Sequence, residues 1–311
     1  MNRSIHTIRI LSIILAVLCV GLFVVICMNY QADSIIEGPQ IAMDTDTVTI
    51  SIRDGDEAIL QGVRATDSNG QDVSDLLIVE SRGRFNPDGT LTVKIAAFDR
   101  KGNVSKSTRT VIYSDYTSPR LSLSGPLSCI ASERQELMDR IQVIDCLDGD
   151  ISANVTLTYT ANGSLPDEGE FPLLLQVSNS AGDSLEMPLT VEYYSAAEER
   201  TRPEIGLTQY LIYAQPGTRI DPENYLLSLT LDNREYQYDL ANHAFVLKGN
   251  TYQQAMNSVE SNLVIPISRL QITAARNYNE PGVYEVIYRC TSAAGVIGTV
   301  RLVIIIEQSG G

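Results

Sequence analysis

A glycine pair spaced by thirteen residues occurs three times along the chain, as Gly89/Gly102, Gly169/Gly182 and Gly282/Gly295. After the first glycine of each pair, alternate residues are apolar: Leu91, Val93, Ile95 and Ala97; Phe171, Leu173, Leu175 and Val177; Tyr284, Val286, Tyr288 and Cys290. A period of two predicts a strand with one buried face. The second glycine closes a polar four-residue stretch that begins at Asp99, Asn179 or Ser292. Such a stretch reads as a hairpin turn, with glycine where a left-handed backbone is often required. The return strand alternates cleanly in the second copy (Leu185, Met187, Leu189, Val191, Tyr193) and in the third (Val300, Leu302, Ile304, Ile306). In the first copy Ser107 and Arg109 fall where the others are apolar, which predicts a β-bulge.

One supersecondary unit used three times in 311 residues predicts three domains. Their expected ranges are 41–116, 117–198 and 199–311. Short strands precede each hairpin, as at Val48, Ile50 and Ile52 or from Ile141 to Ile144. Polar breaks at Asp67 to Asp72 and Asp145 to Asp150 occupy matching places in the first two copies. The third copy is longer, and its excess lies within about 225–275, where the Asn250 to Leu263 portion has helical character. Short strands with frequent turns and little helix predict an all-β chain of three tandem antiparallel β-sandwiches.

Residues 10–28 carry no charge, and as a helix they would run roughly 28 Å, near the thickness of a bilayer's hydrocarbon core. This predicts a single transmembrane signal anchor. Arg3 and Arg9 precede it while Asp33 and Glu37 follow, so residues 1–9 are expected in the cytoplasm, 29–40 as a spacer, and the repeats outside the cytoplasmic membrane. Two rival readings are a cleaved signal peptide and a lipid anchor at Cys27, although Ile26 is large for the position before a lipidated cysteine. A formal net charge of −15 with no basic patch argues against nucleic acid and against anionic lipid headgroups as partners.

The strongest motif is Ile144-Asp-Cys-Leu-Asp-Gly-Asp-Ile151, followed by Glu168-Gly-Glu-Phe171 and Asn179-Ser-Ala-Gly182; the first copy keeps Ala65-Thr-Asp67 and Asp99-Arg-Lys-Gly-Asn103, and the third keeps Pro281-Gly-Val-Tyr284 but lacks the acidic break. These residues resemble bacterial immunoglobulin-like repeats of the hyalin-repeat and cell-surface type, over nearly the whole chain after about residue 40. The resemblance implies spacer or adhesion modules on a bacterial surface and names no single ligand.

Enzymatic chemistry is poorly supplied. Of two histidines, His6 falls before the expected membrane segment and leaves His243 alone beyond it, so a two-histidine metal motif and a marked Ser-His-Asp triad are both missing. Cys290 sits at an inward strand position and reads as a buried thiol. Asp145, Asp148 and Asp150, with Asp67 and Asp72, have the oxygen chemistry that Ca²⁺ takes, and equally the habit of bonding their own backbone in turns. Both readings stand, with Ca²⁺ as the one candidate cofactor. Cys129 and Cys146 are the pair in one repeat that a disulfide would join, against which neighbouring antiparallel strands would hold them apart. The expected function is a non-enzymatic, membrane-anchored stalk or adhesion module contacting a protein or glycan. The alternative is an accessory subunit of an envelope machine, docked through the membrane helix and the third repeat.

Overall fold

The computed structural model describes residues 14–26, 38–86, 89–159 and 167–307. The fold is mostly β, built of several sheets. Residues 14–26 form an exposed helix of about 20 Å, well short of the roughly 30 Å of a bilayer core. Among the described residues no helix is long and apolar enough to cross a membrane, which corrects the single-pass anchor expected over 10–28 and the topology built on it. The flanking positions 10–13 and 27–28 of that expectation, and Cys27 with them, lie outside the described residues, as do residues 1–9 and 29–37.

The chain divides into two compact units, Met1–Asp115 and Tyr116–Gly311. In the first, Gln40–Met43 pairs antiparallel with Val63–Thr66, and a four-stranded sheet runs in the order Thr47–Ile50, Val104–Tyr113, Leu91–Phe98, Leu77–Phe85. The glycine-framed hairpin forms its centre, with Leu91, Val93, Ile95 and Ala97 all buried as their period requires. Thr47–Ile50 joins the return strand in parallel. The bulge expected near Ser107 and Arg109 is absent. Pairing runs without a shift from Leu91↔Val111 to Phe98↔Val104, and the irregularities fall instead on the neighbouring pair, between Val79 and Ser81 and between Arg82 and Phe85. Arg109 keeps its inward position, 3% exposed, because the core supplies acceptors: its Nη1 donates to the carbonyls of Ile59 (2.5 Å) and Gln61 (2.7 Å), and Nη2 to Thr45 Oγ1 (3.1 Å).

The second unit holds two further pairs of sheets. One pair comprises Gly149–Asp150, Ile141–Asp145 and Arg120–Leu123 against Thr156–Tyr159, Gly169–Ser178, Ser184–Tyr194 and Ser128–Ile130, the last again parallel to the return strand. The other pair comprises Glu204–Leu207, Leu226–Leu231, Arg234–Asp239, Ala244–Leu247 and Val264–Pro266 against Leu211–Ala214, Ile297–Ile306, Gly282–Thr291 and Gln271–Thr273. Leu211–Ala214 is the parallel partner of the return strand here. The additional elements of this last copy are the antiparallel hairpin Arg234–Asp239 with Ala244–Leu247 and the helix Tyr252–Met256. The hairpin lengthens the first sheet. The helix, closed at its start by a Thr251/Gln254 capping box, covers a small second core of Val246, Ala255 and Leu263.

A shared seam joins the two pairs of sheets within this unit. Val303 belongs to the core of the first pair, and Leu211, Val283 and Ile305 pack against it. Around that apolar contact lies a charged set: Arg301 reaches Glu170 at 2.7 Å and Glu285 at 3.3 Å, Arg289 reaches Glu170 at 2.9 Å, and Arg202 reaches Glu192 at 2.7 Å. Tyr213 accepts from the Leu121 amide (2.8 Å) and donates to its carbonyl (3.1 Å). At Gly298 the backbone comes so close to the carbonyl of Pro203 that an added Cβ would lie 1.9 Å from it, so only glycine fits.

Candidate functional site

The aspartates of the acidic breaks are spent on the backbone. Asp145, 1% exposed, accepts from the amides of Leu147 and Asp148 (2.9 Å each) and from Asn179 Nδ2 (3.1 Å). Asp148 accepts from the amide and hydroxyl of Ser180, clamping the hairpin turn to the acidic break. Asp150 accepts from the amide of Ser152 (2.9 Å) and its hydroxyl (2.5 Å), and Ser152 Oγ in turn accepts from the amide of Val143 (2.9 Å). The first unit repeats this arrangement with Asp72, Ser74 and the Ala65 amide at 3.0 Å. The serine hydroxyl and amide bonds hold the Asp72 and Asp150 carboxyls below the usual aspartate range, and the Gln71 amide does the same first for Asp67. Asp145 and Asp150 bond amides of their own turns, whereas Asp148 bonds the turn of the neighbouring hairpin. Among the described residues no three His, Cys, Asp or Glu side chains gather to hold a metal ion.

Cys129 and Cys146, the pair for which the sequence left a bridge open, are both free thiols. Cys146 donates to the carbonyl of Thr117 at 3.0 Å, while Cys129 is buried in the core on the parallel strand. Burial pushes the thiols of Cys129 and Cys290 up, away from the reactive thiolate.

The insertion brings together groups that lie apart in sequence. Glu223, on the 3-10 turn Pro222–Tyr225, accepts from Tyr238 OH at 2.6 Å, and the same Oε2 lies 2.6 Å from His243 Nδ1 at the tip of the inserted hairpin. His243 adopts a left-handed backbone, φ 49°, as the hairpin turns. Hydrogen bonds from Tyr238 and His243 hold the Glu223 carboxyl below its usual range, and the carboxylate raises His243. Burial first, then the carboxylate, pushes the Tyr238 phenol upward. The sequence marked His243 as isolated because neither Glu223 nor Tyr238 stands at a motif spacing from it.

A cleft of about 300 Å³ opens beside the seam, lined among others by Arg140, Tyr194, Arg202, Ser228 and Thr230. Its arginines are already engaged: Arg140 donates to the carbonyls of Pro126 (2.8 Å) and Ser128 (2.7 Å), and Arg202 to that of Ile297 (2.8 Å) while its guanidinium lies 4.4 Å from the Tyr194 ring centre.

No protein-family model matches the chain, the bacterial immunoglobulin-like repeat type included, and no curated protein matches it. Several solved structures align over most of its length. One holds the M60 catalytic domain with the CBM51-1 and CBM51-2 domains of ZmpB from Clostridium perfringens, at 12% identity, 87% of this chain, 31% of that one and a TM-score of 0.21. Another is the protocadherin gammaB7 EC3-6 cis-dimer, at 14% identity, 87% of this chain, 74% of that one and a TM-score of 0.17. A third is Drosophila N-cadherin EC1-4, at 12% identity, 86% of this chain, 68% of that one and a TM-score of 0.20. The chain thus spans about a third of the first of these, and a likeness at this level fixes no ligand and no activity.

Proposed function

We propose that the chain is a non-enzymatic binding or adhesion protein of three tandem immunoglobulin-like sandwiches, in which the inserted segment of the third makes contact with a protein partner. The observation that carries this reading is the placing of exposed apolar side chains on the insertion: Leu240 beside the hairpin tip, Met256 at the end of the short helix and Val259 in the segment that follows. Large apolar groups left in water on an inserted segment favour a contact surface, because insertions sit on loops that a rigid scaffold presents. The charged seam supports the same reading, since it ties the third pair of sheets to the second and gives the insertion a firm base. An aromatic photo-crosslinker placed at position 259 of the full chain, in the cells that make it, tests the proposal. A discrete protein adduct that disappears when Leu240 and Met256 are both changed to Ser, and that is absent with the probe at Glu186, is the expected result. Absence of an adduct at 259, or equal labelling at 186, would overturn it.

A further inference from the structure

The hairpin tip is fastened at one point on each side. On one side Glu223 takes both His243 Nδ1 and Tyr238 OH on a single oxygen, at 2.6 Å each. The 3-10 turn that carries Glu223 is itself fixed to the core, because Tyr288 OH donates to the carbonyl of Pro222 at 2.8 Å and Asp221 accepts the Glu223 amide at 3.2 Å. On the other side the His243 carbonyl accepts from the amide of Ile267 at 3.1 Å. Only the first of these fastenings contains a group that changes charge near neutrality.

We propose that Glu223, Tyr238 and His243 form a proton-gated latch, which holds the inserted hairpin to the turn Pro222–Tyr225 while the imidazole is charged and loosens as the imidazole loses its proton. The charges facing His243 favour the closed form. Glu223 comes from the 3-10 turn and Asp221 from its N-cap, while Tyr238 stands on the outgoing strand, whose last residue Asp239 accepts from Asn242 Nδ2 at 2.9 Å. Among the described residues the nearby cations on the third side are engaged elsewhere: Arg269, on the segment beginning at Ile267, is turned to the carbonyl of Thr291 at 2.9 Å, and Lys248 at the far end of the hairpin pairs with Glu235 at 2.6 Å. A neutral imidazole still reaches the carboxylate through an Nδ1–H tautomer but without charge assistance, and charge-assisted bonds are about twice as strong as neutral ones. The sign follows from linkage. His243 is raised, so its contribution is complete below the ordinary histidine value of about 6.5 and is lost as the pH climbs through the folded-state value. Glu223 is lowered, so the acid side of the latch persists below the ordinary glutamate range. The latch stands whether or not the hairpin is a contact surface.

Hydrogen exchange of the full chain tests it, read by mass spectrometry on peptides covering Arg234–Leu247 at about pH 5.5 and about pH 8.5 and corrected for intrinsic rates. Protection of the hairpin should fall about two- to fivefold between the two, the range of an exposed charged pair, while the strand Ile297–Ile306 is unchanged. In His243→Asn, a residue that tolerates the left-handed backbone of the tip, protection should be equal at both values. In Glu223→Gln, the imidazole titration followed by NMR should return to the ordinary histidine midpoint. A pH dependence that survives in His243→Asn, or a wild-type midpoint with no upward displacement, would overturn the latch.

Discussion

Arg109 donates from inside the first unit to two main-chain carbonyls and a threonine hydroxyl, so its guanidinium ties the return strand of the hairpin to the segment around Ile59 to Gln61. Truncating it would strand those acceptors away from water and open a void. The expected loss in Arg109→Ala is about 2 to 5 kcal/mol in urea denaturation of the full chain, confined to the transition of the first unit. A loss under about 1 kcal/mol would show that water takes over the carbonyls. This bond set was not legible in the sequence, where the inward position of an arginine predicted a bulge. Two of its three partners are backbone carbonyls some fifty residues away, which leave no trace in side-chain pattern. Leu91, Leu173, Leu175 and Val286 were legible, because burial on a strand depends on alternation alone. The Glu223–His243 contact was hidden for the same reason as Arg109: nothing local links the two residues.

Two small devices recur in the elements. In the first, the opening residue of a turn donates its amide to the carbonyl four residues on and accepts from the amide of a left-handed glycine. It appears at 67–71, 86–90, 99–103, 179–183 and 292–296, with glycine φ between 78° and 89°. The three hairpin copies were readable from their glycines. In the second, an aspartate fixes a serine two residues on, whose hydroxyl then accepts the amide of an inner strand, as in Asp72/Ser74/Ala65 and Asp150/Ser152/Val143. The sequence showed these aspartates as an acidic cluster with two meanings, since calcium and turns use the same oxygens. The third copy has Ile265, Pro266 and Ile267 in the corresponding stretch and lacks the device. Ser74→Ala and Ser152→Ala should each cost about 1 kcal/mol, the ordinary worth of one such bond, the former in the first unit's transition and the latter in the second's. Equal effects of both substitutions on one transition would contradict the division of the chain at Asp115.

At the scale of the whole molecule, the seam makes residues after Tyr116 one compact unit instead of two independent beads. Arg301 is its charged centre, 5% exposed at the side chain. Arg301→Ala should destabilise the second unit by about 1.5 to 3 kcal/mol, because it removes a buried guanidinium from two partly exposed carboxylates, of which Glu170 keeps Arg289. Calorimetry should then resolve the single transition into two, and a smaller loss with one transition retained would place the strength of the seam in its apolar contacts. The pH dependence has two opposing parts. Burial alone would raise Glu170, but Arg301 and then Arg289 more than offset it and leave the carboxyl lowered; its stabilisation is present above the ordinary glutamate value and is lost as pH falls through the folded one. Burial raises Glu192 despite Arg202, so acidification to its folded value favours the fold there. The seam was not legible from the repeat frame, which treats every copy as self-sufficient and says nothing of the outward face of Ile297–Ile306. In each copy, finally, an early strand lies parallel to the return strand that ends it: Thr47–Ile50 on Val104–Tyr113, Ser128–Ile130 on Ser184–Tyr194, Leu211–Ala214 on Ile297–Ile306. A pull along the polypeptide drags the two members of such a pair in opposite directions along their own axes. Once the strand that precedes the early member in each copy (Gln40–Met43, Arg120–Leu123 or Glu204–Leu207) has come away, the rungs of the parallel pair are loaded together in shear instead of being peeled one by one, and it is there that a chain with this connectivity resists mechanical extension.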